Sequence, residues 1–180
     1  MNELKPRVIL ISGPAGSGKT TTAQLISKNP GWILISEDEY WIEIKAGHPE
    51  GEARTPEEER IVQAKTLNKI IEYIEKGINV VIEFILYHSP PTPVIFYREE
   101  LLSRKILVIT RLLKASEDSI WLRKQKRGYS WDSNEIDQRS YARHQLNCLD
   151  SDYFKSDWII DNTDLNENEV YKLVFRDSVN

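Results

Sequence analysis

Cysteine and long apolar runs are scarce in this sequence, and each shortage narrows the kind of protein it encodes. Cys148 has no second cysteine with which to form an internal disulfide. No apolar run approaches the ~20 residues that a membrane-spanning helix needs, so no membrane partner is expected. The first residues, 1–5, contain no signal-like apolar stretch. We therefore expect a cytoplasmic protein.

A strong charge of one sign is also missing. The 24 Lys and Arg residues stand against 28 Asp and Glu, which gives a net charge of -4 and no overall attraction to nucleic acid. The 3 histidines lack metal-ligand spacing with one another or with the cysteine. Because no repeat or linker interrupts the 180 residues, we expect residues 1–180 to form one domain around one core. The sequence leaves the oligomeric state open.

Short, β-branched apolar runs recur along the chain, as buried parallel strands do. They lie at 8–11, 33–35, 78–82, 106–109 and 158–160. Each run is separated from the next by enough chain for a crossover helix. This alternation predicts an α/β fold.

Helix signals occupy the gaps between the runs. Thr55 can cap a helix, Pro56 suits its first position, and Glu58 completes a capping box with Thr55. Gly77 can adopt the left-handed conformation that ends this helix. Further helices are predicted to begin at Thr92, at Ser116, at Asp132 or Ser133, and at Asp164 with Glu167.

A glycine-rich motif follows the first apolar run. Residues 13–20 match G-x-x-x-x-G-K-[ST], and a helical segment comes directly after them. Glycines let backbone N–H groups approach phosphate oxygens, and the helix N-terminus adds positive potential. Lys19 would reach the β- and γ-phosphates, and Thr20 would offer its hydroxyl to magnesium. The motif predicts that ATP with Mg²⁺ is bound by Gly13, Pro14, Ala15, Gly16, Ser17, Gly18, Lys19, Thr20 and Thr21.

Several segments together resemble the small P-loop kinases, in the branch that includes chloramphenicol phosphotransferase and the shikimate and gluconate kinases. The resemblance rests on the phosphate loop and on residues 37–39, 80–83, 122–128 and 158–163. It implies a three-layer P-loop NTPase fold with a five-stranded parallel sheet in the order 2-3-1-4-5. It also implies an arginine-bearing lid and an acceptor pocket beside the phosphate loop.

Acidic residues follow two of the predicted strands. Asp38 resembles the carboxylate that such kinases use to orient or deprotonate the acceptor hydroxyl. The alternative is that Glu37, Asp38 and Glu39 are a solvated loop run or a helix N-terminal charge cluster, and the sequence leaves open which of the three faces the site. Glu83 closes an apolar run and is a candidate for water-bridged magnesium or an acceptor group, with pairing to a lid arginine as the alternative.

Positive charge is concentrated near residues 120–145, the predicted lid segment. From Arg111 to Gln145, eight Lys and Arg stand against five Asp and Glu. Arg123 and Arg127 are four residues apart on one predicted helix, so both can face the same phosphates, unless that face is merely solvated. By resemblance Asn162 and Thr163 border the adenine, although turn chemistry also accounts for them.

These features predict an ATP-dependent phosphotransferase that moves the γ-phosphate of Mg-ATP to a hydroxyl of a small-molecule acceptor. A kinase for a nucleotide or a polynucleotide 5′-hydroxyl is the second hypothesis, and the net acidity argues against a nucleic-acid partner without excluding it. A non-kinase switch that binds or hydrolyses ATP is the third. The acceptor itself is not indicated, because its pocket is built from loops and the lid.

Overall fold

The computed structural model describes residues 5–44 and 54–176. Within these ranges, five strands form one parallel sheet in the order β2-β3-β1-β4-β5. This arrangement confirms the predicted α/β class and the strand order. The strands are β1 (Arg7–Gly13), β2 (Trp32–Ser36), β3 (Asn79–Ile85), β4 (Leu107–Lys114) and β5 (Ile159–Asp161).

The central strand β1 is buried along its whole length, because β3 and β4 pair with its two edges and helices cover its two faces. Val8 and Leu10 face one core layer, which contains residues of the third and fourth helices such as Ile70 and Leu101. Ile9 faces the opposite layer, which contains residues of the first and last helices. The molecule therefore has the three layers expected of this fold class.

Helices connect the strands on both faces of the sheet. The described part of the chain contains α1 (Lys19–Ser27), α2 (Glu37–Ile44), α3 (Pro56–Glu75), α4 (Thr92–Ser103), α5 (Glu117–Arg127), α6 (Glu135–Asn147) and α7 (Glu167–Arg176). Short 3-10 helices lie at Ser130–Asp132, Cys148–Asp150 and Ser156–Trp158. No helix in residues 5–44 and 54–176 is long and apolar enough to cross a membrane.

The helix signals of the sequence are confirmed at most positions. The Glu58 N–H donates to Thr55 Oγ1 at 3.2 Å and the Thr55 N–H donates to Glu58 Oε2 at 2.8 Å, which is the predicted capping box. The starts of α6 and α7 differ slightly from the predictions. Asn134 caps α6, and Asn166 caps α7 because its side chain accepts the Glu169 N–H at 3.1 Å.

Gly13 ends β1 where β4 approaches closely. Its φ is 145°, and a Cβ at this position would lie 2.4 Å from the backbone oxygen of Leu113. Gly77 provides a matched comparison, because its φ is 77° and a Cβ added there would meet no atom within 4 Å. Of these two glycines, Gly13 alone therefore combines an unfavourable φ with a steric clash.

We expect Gly13→Ala to destabilise the protein much more than Gly77→Ala. The Gly77 change should cost about 1 kcal/mol, since it places a Cβ in a left-handed conformation. The Gly13 change should cost at least ~2 kcal/mol more, because the β4 backbone must also move. Urea unfolding followed by circular dichroism measures both. Equal losses would contradict a close contact between β1 and β4.

Candidate active site

The phosphate loop lies at the carboxyl edge of the sheet, between β1 and α1. Gly16 and Gly18 have φ values of 85° and 97°, which favour glycine. A Cβ on Gly16 would lie 3.2 Å from Cγ of Lys124, so α5 packs closely on the loop. Because α1 begins at Lys19, its first N–H groups lie at the loop and lack intrahelical partners. This geometry suits an anion.

Lys19 is almost fully buried, with 7% of its surface exposed. Its Nζ donates to the Pro14 backbone oxygen at 2.9 Å. Burial lowers the pKa of the Lys19 ammonium, and the charges of Glu83 and Asp38 act in the opposite direction. In the structure, Glu83 and Asp38 are therefore close enough to Lys19 for their charges to affect its pKa.

Glu83 lies on β3 beside Ile11 of β1, with only 2% of its surface exposed. Its Oε1 accepts the Ser36 hydroxyl at 2.5 Å. No Lys or Arg of residues 5–44 or 54–176 forms an ion pair with it, so the alternative of pairing with a lid arginine is not what the structure shows. Thr20 is exposed in the first turn of α1. Carboxylate and hydroxyl oxygens are ligands that Mg²⁺ accepts, so the two residues fit that ion.

The acidic cluster at residues 37–39 forms the first turn of α2, and its members point in different directions. Glu37 is buried, with 4% exposed. Its Oε1 accepts the Tyr97 hydroxyl at 2.6 Å and its Oε2 accepts the Trp41 Nε1–H at 3.3 Å. Burial raises the pKa of the Glu37 carboxyl. Asp38 is largely exposed, and its Oδ1 lies 3.8 Å from Nη2 of Arg54.

A cavity of about 500 Å³ lies beside the phosphate loop. Ala15 of the loop contributes to its wall, together with residues of α2, α3, α5 and α6. Tyr87 and His88, which follow β3, also line this cavity. His88 Nε2 lies 2.6 Å from Glu59 Oε1, and Glu59 is also part of the wall.

Arg123 joins the phosphate loop to the loop after β5. Its guanidinium donates to the backbone oxygens of Ser17 at 3.4 Å, Asn162 at 2.6 Å and Thr163 at 3.3 Å. The Asn162 amide also donates to the Ser17 oxygen, at 2.7 Å. The structure thus assembles four of the predicted site residues around one point. These contacts rule out the alternative that Arg123 lies on a merely solvated helix face.

Arg127 points to the segment between α5 and α6. Its Nη2 and Nε donate to Asp132 Oδ2 at 2.6 and 3.2 Å, and its guanidinium lies 4.6 Å from the centre of the Tyr129 ring. The two helices are further joined by Arg139 and Arg143, which both form ion pairs with Glu117. Several arginines of the predicted lid segment therefore form ion pairs with acidic residues near them in the chain.

Two polar residues that the sequence did not single out lie at the site. Lys124 is 2% exposed, and its Nζ donates to Gln138 Oε1 at 2.7 Å. Gln145 accepts the Ala15 N–H at 2.9 Å. The available signal was helical spacing, because Lys124 follows the buried Ile120 by four residues and so shares its inward face. Burial lowers the pKa of Lys124.

Comparison with known proteins identifies the family. A family model described as an AAA domain matches residues 9–144. The chain belongs to this family. No curated protein matches it in sequence.

Solved structures share the fold at low identity. A sugar kinase from Janibacter sp. HTCC2649 has a TM-score of 0.69 at 19% identity, over 95% of this chain and 93% of that one. The tunicamycin resistance protein of Deinococcus radiodurans has a TM-score of 0.68 at 17% identity, over 96% and 95%. The Mycobacterium tuberculosis APS kinase CysC, in complex with AMPPNP and APS, has a TM-score of 0.65 at 14% identity, over 96% of each chain. These similarities show a P-loop kinase-like fold.

Proposed function

We propose that the protein is an ATP-dependent phosphotransferase that moves the γ-phosphate of Mg-ATP to a hydroxyl of a small molecule. The observation that carries the proposal is the shared wall between the phosphate loop and the cavity, to which Ala15 and Lys124 both belong. A protein that only binds or hydrolyses ATP needs no second cavity there. At about 500 Å³ the cavity is in the range of small-molecule sites, which favours such an acceptor over a polynucleotide end.

On the nucleotide side, the loop N–H groups and Lys19 hold the phosphates. Arg123, Asn162 and Thr163 border the adenine, and the hydrogen bonds among them and to Ser17 support this assignment. Thr20 and Glu83 would hold the magnesium ion. When bound, that ion neutralises charge on the β- and γ-phosphate oxygens.

On the acceptor side, Asp38 orients the hydroxyl and takes its proton as the oxygen attacks the γ-phosphorus. The bond from that phosphorus to the β-phosphate oxygen breaks, and ADP leaves with the bonding electrons. Support comes from the position of Asp38 at the end of β2 and from its electrostatic influence on Lys19. Lys124 and Arg127 supply further positive charge next to Lys19, which stabilises the transferring group.

The role of Lys19 leads to a first test of this function. We expect Lys19→Met to weaken Mg-ATP binding by about 100-fold, because it removes a charged donor to phosphate but keeps the buried aliphatic stem. Lys28→Met is the control, since Lys28 is exposed after α1. Isothermal titration calorimetry measures both affinities. Unchanged affinity in the Lys19 variant would refute the phosphate-loop assignment.

Asp38 is tested by kinetics. Asp38→Asn should lower the rate of phosphate transfer by about 100-fold or more while ATP affinity changes little, as expected for an interaction made in the transition state. Glu39→Gln, at the exposed next position, should leave the rate near wild type. A panel of hydroxyl compounds with γ-labelled ATP separates transfer from release of free phosphate. If both changes had equal and small effects, Asp38 would not be a catalytic residue, and residues 37–39 would be only a charge cluster at a helix N-terminus.

The lid segment is tested by its response to nucleotide. An active site that transfers phosphate to a molecule other than water must exclude water, and closure of residues 120–145 would do so. We expect a non-hydrolysable ATP analogue to slow hydrogen exchange in that segment. Arg127→Lys should reduce turnover about tenfold, because lysine keeps the charge but loses the planar fork, whereas Lys126→Ala should not. Unchanged exchange and a fully active Arg127→Lys would argue against a lid.

A further inference from the structure

Glu37 is a buried carboxylate without a positively charged partner. Of the described residues, no Lys, Arg or His nitrogen lies within 4.0 Å of its oxygens. Its two hydrogen-bond donors, Tyr97 and Trp41, are neutral. An ionised carboxylate has about four acceptor positions, so two donors leave part of its capacity unused. Glu37 lines the cavity, and that unused capacity is available to a ligand there.

The positive groups of the cavity wall are engaged elsewhere. The Lys124 ammonium donates to Gln138 and its stem packs against the phosphate loop. Arg54 lies 4.2 Å from the centre of the Trp41 ring and next to Asp38, and it acts on Glu37 only at longer range. His88 is paired with Glu59 at 2.6 Å. A buried charge without a partner costs free energy, and a cationic ligand would remove that cost.

The cavity wall also contains a group of apolar and aromatic side chains. It includes Trp41, Ile85, Tyr87, Pro93 and Tyr141. Flat and aliphatic surfaces of this kind bury a ring well. The amide side chains of Gln63, Gln138 and Gln145 in the same wall can bind hydroxyl groups of the ligand.

We propose that the acceptor is a hydroxylated ring compound that carries a protonated amine, and that Glu37 binds this amine. The inference rests on the proposed function, since it assigns the acceptor of the same site. Glu37 is here a specificity-determining residue, distinct from Asp38, which handles the reacting hydroxyl. A purely structural Glu37, which only joins α2 to Tyr97 of α4, would give no preference for an amine.

A matched set of three compounds tests the charge preference. The probes are 2-amino-1-phenylethanol, 1-phenyl-1,2-ethanediol and mandelate, which share a ring and a hydroxyl and differ in charge. Ligand-observed NMR titrations give their affinities for the full chain, with and without Mg-ATP. We expect the amine to bind at least ~10-fold more tightly than the diol, and mandelate to bind most weakly.

Variants assign that preference to Glu37. Glu37→Gln should bring the amine and diol affinities within about twofold of each other. Glu43→Gln, an exposed position on the same helix, and Tyr97→Phe, which removes a structural partner but keeps the carboxylate, should both retain the preference. If thermal unfolding shows that Glu37→Gln does not fold, Glu37→Asp must weaken amine binding about tenfold, because the shorter side chain withdraws the charge.

The outcomes separate this inference from the proposed function. No amine binding at about 10 mM, equal binding of amine and diol, tighter binding of mandelate, or a preference that survives Glu37→Gln would each overturn it. ATP affinity is read independently in the same samples. A protein that binds and transfers from ATP but ignores the amine remains a kinase with another acceptor class. A protein that prefers the amine but does not bind ATP refutes the proposed function, and Glu37 is then an amine-binding residue but not part of an acceptor site.

Discussion

Lys19 carries an ammonium group into a place with almost no contact with water, and this charge must be balanced for the site to form. The charges of Glu83, near the carboxyl end of β3, and of Asp38, just after the carboxyl end of β2 in the first turn of α2, act against the effect of burial on the Lys19 pKa. Those ends are close to the phosphate loop because β3 pairs directly with β1, and β2 pairs with β3. The strand order 2-3-1 therefore brings both acids close enough to Lys19 to act on its charge.

The second constraint is the attachment of α5 to the loop. Arg123 uses its planar fork to reach three backbone oxygens on two loops, and Lys124 packs its stem over Gly16. Both contacts are made to backbone atoms of the segments that we propose to bind the nucleotide. A movement of α5 therefore changes the nucleotide site directly. Because Glu117 ties α6 to α5 through two arginines, the two helices are expected to move together.

The sequence predicts the parts of this molecule that depend on local patterns. β1 and β3 are read correctly because strands buried on both faces are continuous apolar runs, and the phosphate loop is read from its glycine spacing. β4 extends to Lys114, beyond the run at 106–109, because Thr110 and Arg111 interrupt the apolar pattern although the strand continues. Which acid of 37–39 turns inward was not predictable, since tertiary packing on Tyr97 decides it. The resemblance implied a pocket beside the phosphate loop, but most residues of its wall were not predictable, because the wall joins helices that are distant in sequence.

The two halves of the site differ in how they are specified. The phosphate half consists mainly of backbone groups and one lysine, so it can keep its chemistry while most other residues change. The proposed acceptor half is formed largely by side chains on α2, α3 and α6, and in the described part of the chain several of these form no hydrogen bond or ion pair with the loop. Glu37 and Asp38 are adjacent in the chain but have different surroundings. Adjacent residues on a helix point about 100° apart, so one carboxylate lies in the cavity wall while its neighbour remains near Lys19. A change at residue 37 can therefore alter what the site accepts and leave the transfer chemistry in place.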